Sequence, residues 1–167
     1  MTALLIEKLA RRHLVENFDC GNEALNRFLF LNALQNQLAN ASQTYVCADG
    51  DSVAGYASLA AGSVEIGNAP ERLRKGLARH PVPVVVLARL AVDRRWQGRG
   101  VGASLIKDMA LRTMQAADIA GVRAFVIHAK DEAALRYYKQ FGFEDGFPDP
   151  LHLYALTKEL RRLIEAG

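Results

Sequence analysis

The amino-acid sequence predicts an α/β protein with a single mixed sheet. Helical and β-type segments alternate along the chain, and the apolar run Val84–Val92 leads straight into a glycine-rich turn and a helix. The chain has 167 residues, 50% of them hydrophobic and 23% charged, which is enough for a complete core. No repeat, linker or low-complexity stretch divides the sequence, so we expect one domain over residues 1–167.

The first third of the chain predicts a strand, a helix and a hairpin. Weak alternation over Leu4–Leu9 favours a strand. Apolar residues recur at spacings of three and four over Asn22–Ala39, which indicates one long helix or a bent pair. The β-type segments Thr44–Ala48 and Ser52–Val64 flank the turn Asp49–Asp51 and therefore predict a hairpin.

The rest of the chain predicts helices alternating with strands. The expected helices are Ala69–His80, ended by Pro81 and Pro83, then Val101–Ala120, stopped by Gly121, and Asp131–Phe141, with Asp131 as its N-cap. The expected strands are Val84–Val92, Val122–His128 and Leu151–Leu156. A basic tail, Lys158–Arg162, follows the last strand.

Several features restrict the class of protein. The sequence shows neither a signal-peptide pattern nor an apolar run of membrane length, and the cysteines, Cys20 and Cys47, are too few for a disulfide framework. These features predict a cytoplasmic protein that does not engage a membrane. We expect no metal, because His13, His80 and His152 show no ligand spacing and His128, which ends a strand, is expected to be structural.

Positive charge is concentrated in one segment. Residues Glu71–Arg99 contain eight basic and two acidic residues, a balance of +6 in a chain of net charge +3, which leaves −3 for the remainder. This indicates either a solvated face with arginines for phosphates, or a groove wall for a polyanion such as RNA. The residues proposed to contact RNA are Arg72, Arg74, Lys75, Arg79 and Arg89. Because Arg89 lies in an apolar strand, it is either a substrate contact or part of a buried ion pair.

The glycine-rich turn Arg94–Gly102 predicts a phosphate site. Glycines let successive backbone N–H groups face an anion, and a helix N-terminus adds positive potential at the same point. The spacing Gln97-x-x-Gly100-x-Gly102 resembles the Q/R-x-x-G-x-G/A pyrophosphate loop of the GNAT acetyltransferases. In that family the ligand is acetyl-coenzyme A.

A second segment strengthens this resemblance. Ala133–Phe143 is similar to the closing GNAT motif A-x-x-[FY]-Y-x-x-F-G-F, and the two motifs together cover Val84–Leu156. The resemblance implies the GNAT acyl-CoA N-acyltransferase fold, a central twisted sheet flanked by helices. It also implies an acetyl-CoA-dependent N-acetyltransferase.

A narrower resemblance spans nearly the whole chain. Five segments resemble the acetyltransferase toxins of type II toxin–antitoxin pairs: Phe18–Leu29, Ala41–Val46, Gly55–Leu59, Leu87–Asp93 and Asp149–Leu153. The resemblance implies acetylation of the α-amino group of aminoacyl-tRNA, which blocks translation. It further implies a homodimer and a small ribbon-helix-helix antitoxin as partner.

The resemblance also implies roles for particular residues. Tyr138 is the expected acid for the departing thiolate, because a tyrosine of pKa ~10 stays protonated at neutral pH. Tyr137 points about 100° away on a helix and is expected in the core. The expected cofactor-binding residues are Ala91, Val92, Gln97, Gly98, Arg99, Gly100, Val101 and Gly102. Of these, the backbone N–H of Ala91 or Val92 is expected to meet the oxyanion.

Two other functions fit the same sequence. The first is a GNAT enzyme that acetylates a small-molecule amine or a protein N-terminus, and it predicts that charged tRNA is not acetylated. The second is a non-catalytic module that binds acetyl-CoA, and it predicts tight binding without turnover on any amine.

Overall fold

The computed structural model describes residues 4–77 and 80–165 and contains one mixed sheet. Its six strands, adjacent in the order of their numbers, are β1 (Leu5–Lys8), β2 (Gln43–Asp49), β3 (Ser52–Val64), β4 (Val82–Val92), β5 (Ala124–His128) and β6 (His152–Leu156). The pairs β1–β2, β2–β3 and β5–β6 are antiparallel, whereas β4–β5 is parallel. The predicted fold class is therefore confirmed.

The described helices occur between and after these strands. They are α1 (Glu23–Arg27), α2 (Ala33–Leu38), α3 (Glu71–Arg74), α4 (Val101–Ala120), α5 (Glu132–Lys139) and α6 (Leu160–Glu165). Short 3-10 turns cover Ile66–Asn68, Arg94–Trp96 and Thr157–Glu159. Within the described part of the chain, no helix combines the length and the apolar character that crossing a bilayer requires.

The early helical pattern forms two helices joined by a π turn. The side chain of Asn22 caps α1 by accepting the N–H of Leu25 at 3.2 Å. The π turn Phe28–Asn32 links α1 to α2, and the N–H of Ala33 bonds to the carbonyl of Phe28 five residues back. The alternative of a bent pair is therefore the correct one, because the π turn inserts one extra residue into the helical ladder.

Two predicted elements differ from the structure. The basic helix expected over Ala69–His80 ends at Arg74, because Gly76 takes a φ of +79° that continues no right-handed helix. Conversely, the segment predicted as a basic tail overlaps the start of α6, a helix that buries Leu160 and Leu163. Two leucines three residues apart are enough to hold one short helix against the protein.

Contacts group the structure into two compact units, and β3, β4 and α4 contribute residues to both. The first unit contains the described residues up to Ala60 together with Ala88–Met109. Tyr56 lies at the centre of its core, where its hydroxyl donates to the carbonyl of Leu25 at 2.6 Å. The ring of Tyr56 contacts Phe18 edge-on and stacks on Phe28, with centroids 5.5 and 6.2 Å away. These contacts fix α1 and the π turn on the sheet.

The second unit contains Ala61–Leu87 and the described residues from Ala110 onward. Its core cluster is Ala69, Leu73, Val82, Val84, Ala124, Val126, Tyr154 and Leu156. The side chain of Asp131 caps α5 by accepting the N–H of Ala134 at 2.8 Å, as the sequence predicts. The expectation of one domain over residues 1–167 stays a prediction.

Replacement of Gly55 by alanine is expected to destabilise the protein by about 1–3 kcal/mol, because β3 has no space for a side chain at this position. A Cβ there would lie 2.8 Å from Cγ1 of Val101 and 3.0 Å from the carbonyl oxygen of Ala91. Urea denaturation measures the change in the free energy of unfolding. Gly67→Ala is the control, because beyond the adjacent residues no described atom lies within 4 Å of its added Cβ. Equal stability losses in the two variants would contradict the steric explanation.

Candidate active site

A buried carboxylate organises the end of β4. Asp93 is 2% exposed, and its side chain accepts the backbone N–H of Asp19 at 3.0 Å and that of Arg95 at 2.9 Å. Nε of Arg95 lies 2.9 Å from the same carboxylate. Burial alone would raise the pKa of Asp93, but Arg95 and the two N–H groups lower it below its usual value. Asp93 is therefore ionised at neutral pH and caps the 3-10 turn Arg94–Trp96.

At this end of β4, successive peptide groups point alternately towards β3 and away from it. The N–H of Asp93 donates to the carbonyl of Ala54 in β3 at 2.9 Å, and the Ala91 carbonyl lies beside Gly55 of the same strand. Because peptide groups alternate along a strand, the N–H of Val92 points away from β3. On that side, the register of β4 with β5 covers Val84–Leu87. The N–H of Val92, rather than that of Ala91, is therefore the one on the side of β4 that faces away from β3.

The glycine loop follows the 3-10 turn and has the geometry of an anion site. Gly98 and Gly100 have φ values of +78° and +83°, and beyond the adjacent residues no described atom lies within 4 Å of the position of a Cβ on either residue. The carbonyl of Gly100 accepts the N–H of Ser104 at 3.0 Å and so opens α4, a helix of 20 residues. The N–H groups of its first turn, including those of Val101 and Gly102, have no carbonyl four residues before them within the helix. They are the groups that bind phosphates at helix N-termini.

Side chains near the loop fix its position and add charge. The side-chain amide of Gln97 donates to the carbonyls of Val92 at 2.9 Å and Cys20 at 3.2 Å, so it holds the loop against the end of β4. The guanidinium carbon of Arg99 lies 5.3 Å from the ring centroid of Trp96. Arg99, with Gly100, also lines a cleft of about 390 Å³. Trp96 therefore contacts an arginine of the glycine loop.

Tyr138 lies on α5 and is 9% exposed, whereas its neighbour Tyr137 is 36% exposed. The expectation that Tyr137 packs in the core is therefore wrong, because the face of α5 that carries Tyr138 is the one that meets Phe143, with ring centroids 6.3 Å apart. The Tyr137 ring instead contacts Phe141, 5.2 Å away. Burial, and to a lesser extent Tyr137, raises the pKa of Tyr138, so its phenol stays protonated at neutral pH.

The basic residues of α3 occupy different environments. Arg72 forms ion pairs with Glu144 and Glu159, which raise its pKa, so two carboxylates already neutralise its charge. Arg74 and Lys75 are exposed. Arg72 and Lys75 nevertheless line a cleft of about 430 Å³ together with Arg123, Leu156 and Lys158. Sequence reasoning missed Arg123 and Lys158 as members of this cluster, because only the folded chain brings them near α3.

Arg89 packs against an aromatic ring, and its role as a substrate contact stays a prediction. It is half-buried, and its guanidinium carbon lies 3.7 Å from the centroid of the Phe28 ring, a cation–π contact. Arg79, the remaining residue proposed to contact RNA, lies outside the described residues.

The structure groups the predicted site residues by unit. The end of β4 and the glycine loop both belong to the first unit, and the hydrogen bond from Gln97 to Val92 joins them. Tyr138 and the basic residues of α3 belong to the second unit.

Comparisons with known proteins identify the family of this chain. The model of the Acetyltransferase (GNAT) family matches residues 6–143. A tRNA-acetylating toxin of Mycobacterium tuberculosis is 44% identical over 151 residues, which is 90% of each chain. AtaT complexed with acetyl-methionyl-tRNAfMet is 29% identical, with a TM-score of 0.89 over 96% of this chain and 98% of that one.

A further solved structure contains both a small ligand and a protein partner. It is a tyrosine-to-phenylalanine variant of AtaT bound to acetyl-CoA and to the C-terminus of the antitoxin AtaR. It is 28% identical, with a TM-score of 0.82 over 97% of this chain and 98% of that one. The family match, which covers most of the chain, and the 44% identity lead to one conclusion: this protein belongs to the GNAT acetyltransferase family.

Proposed function

We propose that this protein is a toxin that transfers the acetyl group of acetyl-CoA to the α-amino group of aminoacyl-tRNA and thereby blocks translation. The observation that carries the proposal is its 44% identity, over 90% of the chain, to a tRNA-acetylating toxin. The loop at the start of α4 supplies the anion site that a coenzyme A diphosphate requires. By the same reasoning the protein acts in the cytoplasm, where charged tRNA is found.

The cofactor is held mainly by the backbone. In this proposal, the N–H groups of the loop bind the pyrophosphate, and Arg99 adds positive charge. The loop residues concerned are Gln97, Gly98, Arg99, Gly100, Val101 and Gly102. At the end of β4, Val92 pairs with the pantetheine amides and its N–H donates to the oxyanion, whereas the peptide groups of Ala91 face β3.

The chemistry needs no strong base. The amine, with a pKa of ~8, is partly neutral at cellular pH and attacks the thioester carbonyl carbon. The new C–N bond produces an oxyanion, which the Val92 N–H stabilises, and the C–S bond then breaks. Tyr138 protonates the sulfur, and the nitrogen releases a proton that restores the phenol. The buried, protonated state of Tyr138 supports this role.

The acceptor and the partners complete the proposal. Two carboxylates neutralise Arg72. We therefore assign RNA phosphates chiefly to Arg74, Lys75 and Lys158, which form no ion pair with a carboxylate among the described residues. Arg72, Arg79 and Arg89 are proposed as secondary RNA contacts. A homodimer and a ribbon-helix-helix antitoxin are the proposed assembly and partner; the AtaT structure with AtaR supports the second.

Gly100→Ala is expected to weaken acetyl-CoA binding at least about tenfold, a loss of roughly 1.4 kcal/mol, because alanine disfavours the φ of +83° that aims the loop N–H groups. Isothermal titration calorimetry measures the dissociation constant. Gly50→Ala is the matched control, since Gly50 has a φ of +62° and equally open surroundings but lies in the β2–β3 turn. Unchanged affinity in Gly100→Ala, or an equal loss in both, would remove the loop from the cofactor site.

Tyr138→Phe is expected to lower kcat for charged tRNA by about 100-fold or more, because it removes the proton donor. Its acetyl-CoA affinity should be unchanged. The assay incubates purified protein with labelled acetyl-CoA and a pool of charged tRNAs, and circular dichroism verifies folding. Tyr137→Phe is the matched control and should retain activity.

The outcomes of this assay separate the candidate functions. Label on free amines or protein N-termini, with none on charged tRNA, would favour the small-molecule or protein acetyltransferase. Tight acetyl-CoA binding without turnover on any amine would favour the non-catalytic module. Full activity of Tyr138→Phe on charged tRNA would keep the function but overturn the assignment of the acid.

Lys75→Gln combined with Lys158→Gln is expected to lower kcat/KM for charged tRNA and to flatten its logarithmic salt dependence by about 1.5, because two phosphate contacts are lost. The measurement is the rate of acetylation at several salt concentrations. Lys8→Gln combined with Lys130→Gln removes the same charge elsewhere on the surface and should leave the slope unchanged. Equal salt-dependence slopes for the two double variants would exclude Lys75 and Lys158, and the cleft they line, as an RNA contact.

A further inference from the structure

Two histidines face each other at the ends of neighbouring strands. His128 is the last residue of β5, His152 is the first residue of β6, and the antiparallel register pairs them directly. Directly paired residues project from the same face of a sheet, and the two ring centroids are 4.2 Å apart. Because 23 residues separate the two histidines along the chain, their spacing in the sequence does not resemble that of a metal-ligand motif.

A carboxylate completes the group. Oδ2 of Asp149 lies 3.3 Å from Nε2 of His128 and 3.7 Å from Nδ1 of His152. The other oxygen, Oδ1, accepts the N–H of Leu151 at 2.9 Å, so the carboxylate is oriented with Oδ2 towards the imidazoles. One ligand atom from each of the three residues lies within 4.8 Å of those from the other two.

These separations suit a small divalent ion. Zn²⁺ binds imidazole nitrogen and carboxylate oxygen at about 2.0–2.1 Å, which places neighbouring ligands of a tetrahedral site about 3.3 Å apart. The Asp149–His128 separation already has that value, and the 3.7 Å separation needs only a small side-chain rotation. Two imidazoles and one carboxylate are also a ligand set typical of transition metals.

The three residues lie in a cleft that is open to solvent, so an ion can reach them. All three residues line a cleft of about 500 Å³, whose other walls include Val84, Val86 and Phe147. The side chains of His128 and Asp149 are 56% and 41% exposed, so solvent reaches the group. Three protein ligands leave a fourth tetrahedral position for water or for a ligand in the cleft.

We propose that His128, Asp149 and His152 bind one divalent transition-metal ion, represented here by Zn²⁺, at the wall of this cleft. The proposal is independent of tRNA acetylation, and it replaces the expectation of no metal that the sequence spacing favours. A structural role for the same residues would be a hydrogen-bonded His–Asp–His group with no selective affinity for metal.

Calorimetric titration of the full chain with ZnCl₂, after treatment with EDTA and buffer exchange, tests the site. We expect saturation at one ion per chain, and binding at least about tenfold weaker in His128→Ala, His152→Ala and Asp149→Asn, because each removes a ligand. Asp149→Asn keeps an oxygen for the N–H of Leu151 and so preserves the local turn. Absorption of bound Co²⁺ in the visible range provides a readout that does not depend on activity.

Two controls make the result decisive. His80→Ala removes an exposed histidine outside the group, and Cys20→Ser removes a half-buried thiol; both should bind Zn²⁺ with unchanged affinity. The absence of saturable binding by the unaltered chain would overturn the proposal. Losses in His80→Ala or Cys20→Ser as large as those in the three ligand variants would overturn it as well.

Discussion

The buried carboxylate of Asp93 is the constraint on which the rest of the site depends. An isolated charge at 2% exposure would cost several kcal/mol, and this one is compensated by Arg95 and two backbone N–H groups. Those partners come from the segment before α1 and from the turn that leads into the glycine loop. One ionised group therefore fixes the end of β4 and the start of the loop. The bond from the Arg94 N–H to the Asp19 carbonyl, at 2.9 Å, adds to the same junction.

In the proposed site, most contacts with the cofactor come from backbone N–H groups. The proposed anion-binding groups are N–H groups at a helix start, and the proposed oxyanion donor is the N–H of Val92. Their direction depends on strand alternation and on glycines with positive φ rather than on side-chain chemistry. The proposed acid, Tyr138, is the side-chain contribution, and its position depends on the capped helix α5 and on packing against Phe143. This explains why glycine spacing is the most informative pattern in the sequence.

The fold could be predicted where periodicity extends over many residues. The hairpin of β2 and β3, the central strand β4 and the long helix α4 all follow from such patterns. Short elements could not be predicted as well, because α3 and α6 depend on a few buried leucines and on one glycine. The same limit applies to side-chain orientation: the adjacent residues Tyr137 and Tyr138 differ in burial through the phase of one helix, which tertiary packing decides.

Contacts between residues that lie far apart in the sequence could not be predicted from local patterns either. Neutralisation of Arg72 requires Glu144 and Glu159, and the cation–π contact of Arg89 requires Phe28. The pair of His128 and His152 exists only through the register of β5 with β6. Local sequence patterns indicate which segments form helices and strands. Strand pairing and helix packing then decide which side chains come into contact.

The proposed mechanism requires main-chain N–H groups at the start of α4 to bind the diphosphate of coenzyme A. Amide chemical-shift changes in ¹⁵N-labelled protein, recorded during titration with coenzyme A, locate these groups. We expect the largest changes at Gly98, Gly100 and Gly102, with smaller changes at Gly50 and Gly67. Saturable binding that leaves the three loop glycines unchanged and shifts amides elsewhere would contradict this mechanism.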